Sequence, residues 1–177
     1  METSFYKCNG NGNTFIIIVS STLKSQNFIS KNKIKNVCYN IEDSIIDGFI
    51  SANITNNKVI MNYYNNDGSW ETFCLNGLRC LALVLNKNYN KNFFPIYSNN
   101  TLYNCKILDN QVIEVELGEP FYVMKNIKIE KIIGDYINSG AKHFVYNQYD
   151  STVRSNTVQG PGGDGAAALH PIVSKQV

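Results

Sequence analysis

The sequence predicts an α+β fold in which a mostly antiparallel sheet is wrapped around a central buried helix. Five short segments rich in Ile, Val, Tyr and Phe are bounded by Asn, Gly or Asp, as strands commonly are. A longer segment that begins near Asn76 is apolar on almost every face, which is typical of a helix inside a core. A composition that is 44% hydrophobic and 12% aromatic supports a folded globular chain.

The predicted strands cover residues 14–20, 58–64, 93–97, 102–108 and 111–117. In the last of these segments apolar and acidic residues alternate, which indicates a half-buried strand. Residues 108–111 predict the hairpin turn before it. A weaker helical pattern covers residues 25–36.

Charge and hydropathy exclude several classes of function. The net charge is +2, and the only arginines are Arg79 and Arg154. A nucleic-acid or acidic membrane surface needs clustered basic residues, so we expect neither partner. No apolar run approaches a bilayer span, and the first residues lack the apolar segment of a signal peptide. The sequence therefore predicts a cytoplasmic protein.

The cysteines do not form a recognisable framework for disulfides or zinc. They are Cys8, Cys38, Cys74, Cys80 and Cys105. An odd number without tight pairing predicts free thiols in a reducing compartment. The chain has no CxxC and only two histidines, so we predict no metal site. His143 follows a glycine turn, a setting in which a lone histidine is more often structural than catalytic.

Cys74 lies just before the apolar helix and is the strongest candidate for a catalytic group. A helix N-terminus carries free N–H groups and a partial positive charge. We expect it to lower the pKa of the thiol from about 8.5 toward neutrality, which makes a thiolate base available. The N–H groups of Asn76 and Gly77 can bind a carboxylate beside it. The alternative is that Cys74 is a small buried apolar residue, as free cysteines often are.

The glycine-rich segment at residues 5–15 also needs an interpretation. Phosphate-binding loops follow a strand and open a helix, whereas this segment precedes a predicted strand. An Asn-Gly loop that enters a strand is usually a turn. The alternative is that Asn13 presents its amide to a ligand.

Taken in order, these segments resemble the diaminopimelate epimerase family of amino-acid racemases. The family typically opens with F-x-K-x-x-G-x-G-N-D-F, where residues 5–15 read FYKCNGNGNTF. It continues with F-N-x-D-G-S-E-x-x-x-C-G-N-G-x-R-C, where residues 64–80 read YNNDGSWETFCLNGLRC. Its G-x-P and G-N-P-H are echoed by GEP at 118–120 and GAKH at 140–143. The resemblance extends from residue 5 to about residue 145.

The resemblance implies two pseudo-symmetric lobes, each with a sheet around a central helix and with substrate between them. It implies that LL- and meso-diaminopimelate are interconverted in lysine biosynthesis by two cysteines, without pyridoxal phosphate or any other cofactor. Cys74 would be the acid/base of the first lobe. Asn76 and Gly77 would lie at the α-carboxylate, and Asn13 and Asn65 would hydrogen-bond the substrate.

This chain departs from the family pattern at several positions. Thr14 replaces an aspartate, Trp70 a glutamate and Leu75 a glycine that lets substrate approach the helix terminus. The second lobe's asparagine would fall at Ala141, which has no amide, and no second C-G-S-G motif is present. One alternative is an inactive epimerase-like half-domain with a binding or oligomerisation role. Another is a racemase of a different amino acid.

The resemblance also predicts how the chain is divided. Residues 1–118 would form the N-terminal lobe, and residues 119–157 the crossover and the start of an incomplete second lobe. Residues 158–177 change to Gly, Ala and Pro and are expected to be an atypical tail. A truncated chain of this kind would expose a large apolar patch, which predicts self-association, such as a homodimer, or poor solubility.

Overall fold

The computed structural model describes residues 5–21, 30–40, 46–55, 58–108, 112–140, 142–147 and 172–176. The chain divides into two compact units, Met1–Glu116 and Leu117–Val177. None of the helices in these described ranges is both long and apolar enough to cross a membrane.

The first unit combines a large sheet with two helices. Its elements are β1 (Phe5–Gly10), β2 (Asn13–Ser20), α1 (Lys31–Asn40), β3 (Gly48–Thr55), β4 (Lys58–Asn65), β5 (Trp70–Glu71), α2 (Leu75–Tyr89), β6 (Phe93–Ser98), β7 (Thr101–Ile107) and β8 (Ile113–Val115). The sheet has eight strands in the order β1-β2-β3-β4-β6-β7-β8, with β5 paired to β4. The observed fold is therefore α+β, as predicted.

The sheet is mostly antiparallel, with two parallel pairs. β2 pairs with β3 and β4 with β6 in parallel, and each pair is connected through a helix, as parallel neighbours require. The β1–β2 hairpin turns at Asn11 and Gly12, whose φ angles are 56° and 87°. Asparagine and glycine tolerate this left-handed backbone better than other residues. The glycine-rich segment is thus a turn.

Helix α2 supplies a large part of the core of the first unit. It packs against β1, β2, β3, β6, β7 and β8, and Leu78, Leu81 and Leu85 are fully buried. This burial explains why the segment is apolar on nearly every face. Its last turn ends at Asn90, which has a left-handed backbone and donates its N–H to the Asn86 carbonyl.

Helix α1 lies later in the chain than its sequence pattern suggested. It spans Lys31–Asn40, while most of the predicted stretch before it falls outside the described residues. Ile34 and Cys38 of α1 pack with Ile16, Ile46 and Phe49. The burial of Cys38 explains why the helix continues past residue 36, where the predicted helix ended. Strand β8 is likewise shorter than the predicted 111–117, and residues 109–111 of the predicted turn lie outside the described residues.

The second unit is described as an antiparallel sheet of four strands. They are β9 (Phe121–Ile129), β10 (Ile132–Asn138), β11 (Lys142–Asn147) and β12 (Ile172–Gln176), in the order β12-β11-β10-β9. Within the predicted tail at residues 158–177, Ile172–Gln176 is a strand that pairs with β11, and the division of the chain stays a prediction. The Gly/Ala-rich composition belongs to residues before it, so composition alone obscured the strand.

The burial of α2 leads to a stability prediction. Replacing Leu81, which is 0% exposed, with alanine removes buried methylene groups and leaves a cavity. We expect Leu81→Ala to lower the free energy of unfolding by about 2–5 kcal/mol in urea titrations followed by circular dichroism. Leu102→Ala is the control, because Leu102 is 44% exposed. Equal losses in the two variants would contradict the central packing of α2.

Candidate functional site

The candidate site lies in the first unit at the N-terminus of α2. Cys74 is the N-cap residue, with φ −144° and ψ 107°, and its carbonyl accepts the Leu78 N–H at 2.8 Å. The Gly77 N–H donates to the Cys74 sulfur at 3.4 Å. The thiol therefore occupies the capping position in which serine or aspartate usually satisfies a free helix N–H.

The chain reaches this cap through a tight turn that follows β4. Gly68 has φ 82° and donates its N–H to the Asn65 carbonyl at 2.9 Å. Asp67 accepts hydrogen bonds from the Ser69 N–H at 2.7 Å and from the Ser69 hydroxyl at 2.6 Å. A Cβ at position 68 would overlap the Lys31 carbonyl oxygen. The Asn-Asp-Gly-Ser sequence thus has the turn chemistry that this position requires.

Asn13 is held next to the helix N-terminus. Its side-chain carbonyl accepts a hydrogen bond from the Asn76 amide at 2.9 Å. The residue after it, Thr14, exchanges two hydrogen bonds with Asp47: the Thr14 N–H donates to the Asp47 carboxylate at 2.7 Å, and the Asp47 N–H donates to the Thr14 carbonyl at 2.8 Å. Asp47 therefore fixes the start of β2 and the position of Asn13.

Two glycines let the helix terminus approach the sheet. A Cβ at Gly77 would lie 2.7 Å from Cδ1 of Ile50. A Cβ at Gly10 would lie 2.8 Å from the Cys80 sulfur and 2.9 Å from the Asn76 carbonyl oxygen. Both distances are shorter than van der Waals contact, so a side chain at either position would push α2 away from β1 or β3.

Tyr63 joins the remaining predicted residue, Asn65, to Cys74. Its hydroxyl donates to Oδ1 of Asn65 at 3.0 Å, and Tyr63 is among the groups that lower the pKa of the Cys74 thiol. The ring is 7% exposed, and Phe15 meets it edge-on with centroids 6.1 Å apart. The structure therefore brings all five predicted site residues into one network of contacts through Tyr63 and the N-terminus of α2.

Sequence reasoning missed both Tyr63 and Asp47. Tyr63 was identifiable, since residues two apart on a strand share a face and Tyr63 precedes Asn65 by two positions on β4. Asp47 had no local signal. It meets Thr14 only because β2 and β3 pair in parallel, which is a contact between distant parts of the chain.

The pKa of Cys74 shifts in the opposite direction from the one expected. Burial raises the pKa of the thiol, and this effect exceeds that of the hydrogen bonds from Gly77, Tyr63 and Asn76, which lower it. The prediction of a pKa near neutrality is therefore wrong. The sequence motif predicted the helix N-terminus but not how strongly the Cys74 sulfur is buried. Burial removes water from the sulfur, and this disfavours the charged thiolate.

Burial raises the pKa of the other thiols as well. It raises the pKa of Cys38 to about 11 and the pKa values of Cys80 and Cys105 to about 12. It also raises the pKa of Cys8, which Lys87 partly offsets. Cys80 is 5% exposed and belongs to the core. Cys74 differs from the three buried core thiols in its polar contacts.

The surroundings of the site are only partly as the sequence suggested. Leu75 is the first residue of α2 and is 36% exposed beside Cys74. Ala141 lies outside the described residues, and His143 is part of β11 in the second unit. Within the described ranges no group of three or more His, Cys, Asp and Glu residues could hold a metal ion. The arrangement offers a thiol, amide groups and helix N–H groups, which can hold an anion and transfer a proton.

Comparisons with known proteins agree on an epimerase relationship. A diaminopimelate epimerase from Prochlorococcus marinus is 38% identical over 128 residues, covering 68% of this chain and 45% of its own. A diaminopimelate epimerase from Pelagibacter ubique is 32% identical over 135 residues, covering 74% of this chain and 47% of its own. No protein-family model matches the chain.

Solved structures show the same fold at low sequence identity. A putative phenazine biosynthesis protein from Clostridium difficile matches with a TM-score of 0.53 and 10% identity, covering 86% of this chain and 61% of that protein. A predicted epimerase from Pseudomonas aeruginosa matches with a TM-score of 0.52 and 7% identity, covering 80% and 57%. These matches support the α+β fold alone.

The curated matches show that the chain is related to epimerases. It is homologous to the diaminopimelate epimerases, as its motifs suggested, and it spans about half the length of the curated relatives it matches.

The environment of Cys74 predicts the order in which the thiols react as pH rises. We expect Cys74 to be alkylated by iodoacetamide with a midpoint above the ordinary thiol pKa of about 8.5, because burial favours the neutral form. It should react before Cys38, Cys80 and Cys105, whose pKa values are raised to between about 11 and about 12. Peptide mass spectrometry over a pH series measures each site. A midpoint for Cys74 below pH 8.5 would contradict the dominance of burial.

Proposed function

We propose that this chain provides the Cys74-bearing lobe of a diaminopimelate epimerase. In this proposal Cys74 transfers the α-proton on one face of the substrate, so that LL- and meso-diaminopimelate are interconverted in lysine biosynthesis. Asn13, Asn65, Asn76 and Gly77 bind the amino acid, and no cofactor takes part. The protein acts in the cytoplasm.

The observation that carries the proposal is the position of Cys74. Its sulfur accepts the Gly77 N–H at 3.4 Å, at the one end of α2 where free N–H groups and positive potential meet. Asn76, in the first turn of the same helix, donates to Asn13, and Tyr63, which acts on Cys74, donates to Asn65. Residues of β2, β4 and α2 thus surround a thiol that accepts a backbone N–H and is not packed only among apolar side chains.

The proposed proton transfer depends on how the site stabilises the negative charge that develops on the substrate. Removing an α-proton from an amino acid places negative charge next to its carboxylate, and such a carbanion forms only with nearby stabilisation. We place the carboxylate at Asn76 and Gly77, at the N-terminus of α2, where the positive end of the helix dipole favours an anion. Because burial raises the pKa of Cys74, the free site holds a thiol, which is the form that donates a proton.

In the reverse reaction Cys74 abstracts the α-proton, and for this it must first become a thiolate. Inversion also requires a second acid/base on the other face of the α-carbon, because one sulfur reaches only one face. The proposal assigns that group to residues outside Met1–Glu116, in keeping with a two-lobed enzyme. Residues 1–118 then form the lobe whose sheet wraps around α2, and residues 119–157 begin the second lobe.

A binding role without catalysis is the second candidate, and Leu75 is the observation that favours it. Its side chain stands next to Cys74 at the helix terminus and is 36% exposed, where the related family has glycine. Association of two copies stays a prediction. Exposed apolar side chains of β9 and β10, among them Phe121, Met124 and Ile133, support it.

Exchange of the α-proton tests the catalytic proposal without requiring inversion. We expect the protein to incorporate deuterium at the α-carbon of diaminopimelate in D2O, measured by mass spectrometry. Cys74→Ala should reduce the rate at least about 100-fold, because general acid–base groups typically contribute that much. Cys38→Ala is the matched control, since Cys38 is buried in α1 away from the cap. Exchange that persists in Cys74→Ala would exclude Cys74 as the acid/base.

Leu75→Gly tests whether the side chain obstructs the helix terminus. We expect the variant to bind diaminopimelate about tenfold more tightly in calorimetry, because an exposed apolar side chain no longer displaces the carboxylate from the N–H groups. Leu108→Gly is the control, since Leu108 is also 36% exposed but follows β7. Unchanged affinity in Leu75→Gly would show that Leu75 does not limit access.

A further inference from the structure

The side-chain amide of Asn65 lies between two hydroxyl groups, and each of them can donate or accept a hydrogen bond. On one side the Tyr63 hydroxyl donates to Oδ1 of Asn65 at 3.0 Å. On the other side Nδ2 of Asn65 donates to the Ser69 hydroxyl at 3.0 Å. If the amide were turned by about 180°, Ser69 could donate to Oδ1 and the Tyr63 oxygen could accept from Nδ2. The two hydroxyls alone therefore do not select one orientation of the amide.

Asp67 removes this ambiguity, because a carboxylate can only accept. Its Oδ1 accepts the Ser69 hydroxyl at 2.6 Å and the Ser69 N–H at 2.7 Å. The hydroxyl has a single hydrogen, which goes to Asp67, so towards Asn65 the Ser69 oxygen acts only as an acceptor. Nδ2 of Asn65 must then face Ser69, and Oδ1 must face Tyr63. The hydrogen-bond network thus assigns the amide orientation, as it does for side-chain amides in general.

The same contacts keep Asp67 in its carboxylate form. The hydrogen bonds from the Ser69 hydroxyl and from the Ser69 N–H hold the pKa of the Asp67 carboxyl below its ordinary value. The other carboxylate oxygen, Oδ2, lies 3.8 Å from Nζ of Lys31 at the surface. Asp67 is therefore an acceptor at neutral pH.

We propose that Asp67 is a positioning residue that, through Ser69, fixes the orientation in which the Asn65 amide meets a ligand. In this orientation one N–H of Nδ2 and one lone pair of Oδ1 are not used by the two hydroxyls. An amino acid carries an ammonium group, which can only donate, and a carboxylate, which can only accept. Turning the amide exchanges its donor and its acceptor, so a bound amino acid would meet the wrong group. This consequence rests on the proposed function.

The backbone of the turn does not depend on the Asp67 side chain alone. The Asn65 N–H donates to the Ser69 carbonyl at 2.8 Å, and the Gly68 N–H donates to the Asn65 carbonyl at 2.9 Å. Replacing the side chain of Asp67 removes neither of these hydrogen bonds. We therefore expect a variant at position 67 to release the amide while the turn after β4 is retained.

Nuclear Overhauser effects from the Asn65 amide test the proposal without substrate. In protein labelled with 15N-asparagine, Asn65→Asp identifies the Asn65 side-chain signals by their loss. We expect stronger cross-peaks from these amide protons to Ser69 Hβ than to the Tyr63 ring. Asp67→Ala should raise the Tyr63 cross-peaks, because both orientations are then populated. Asp67→Asn should keep the original pattern, because the Ser69 N–H can only donate and so holds the new amide oxygen in the place of Oδ1.

Two further variants complete the test. Lys31→Gln is the control and should leave the cross-peaks unchanged, since Lys31 pairs with Oδ2 of Asp67. Ser69→Ala keeps the backbone hydrogen bonds of the turn and should also raise the Tyr63 cross-peaks, even where Asp67→Ala does not fold. Equal cross-peaks to both residues in the unaltered protein would overturn the proposal. So would the original pattern in Asp67→Ala or, where that variant does not fold, in Ser69→Ala.

Substrate affinity separates this proposal from the proposed function. Asp67→Ala should raise KM for α-proton exchange about tenfold, since a hydrogen bond to a charged group contributes at least that much. We expect a smaller change in kcat, because Cys74 is retained, and a KM close to the original value in Asp67→Asn. An unchanged KM in Asp67→Ala would overturn the role in ligand binding. Absence of exchange in the unaltered protein would instead contradict the proposed function, while the cross-peaks would still test the amide orientation.

Discussion

The close approach of the α2 N-terminus to β1 and β3 is the constraint on which the rest of the site depends. Gly10 and Gly77 leave no room for a Cβ between helix and sheet, and the buried Leu78 and Leu81 anchor the helix that follows. This packing fixes Cys74 as the N-cap and places Asn76 within hydrogen-bond distance of Asn13. A wider separation would break these contacts, so the core packing and the chemistry of the site cannot be altered independently.

Burial and polar contact act on Cys74 in opposite directions, and their balance decides what the site can do. The helix N–H groups and the Tyr63 hydroxyl stabilise a thiolate, while desolvation favours the thiol more strongly. A neutral thiol reacts slowly with modifying reagents. The hydrogen-bond donors around it nevertheless stabilise the thiolate when Cys74 loses its proton. An anion-stabilising environment of this kind is useful to an enzyme that must both deliver and remove a proton.

Local sequence patterns predicted the elements that depend on local physics. The strands near residues 14–20, 58–64 and 93–97 and the helix from Asn76 are confirmed to within about one residue, because alternation and apolar periodicity are local properties. The site motif also identified Cys74 as the residue before the helix. Asp47 and strand β3 were missed, since their roles arise from parallel pairing of distant segments. The pKa of Cys74 was misjudged for the same reason: its burial arises from packing of α2 against distant strands of the sheet, which the motif does not describe.

A direct titration of Cys74 with and without ligand tests the central claim. Protein labelled with 13C at the cysteine Cβ gives one signal per thiol, and Cys74→Ser identifies the Cys74 signal. The account predicts that Cys74 titrates above its ordinary pKa in the free protein and that its signal shifts when diaminopimelate binds beside it. A midpoint below the ordinary value in the free protein, or a Cys74 signal that saturating diaminopimelate leaves unchanged, would contradict it.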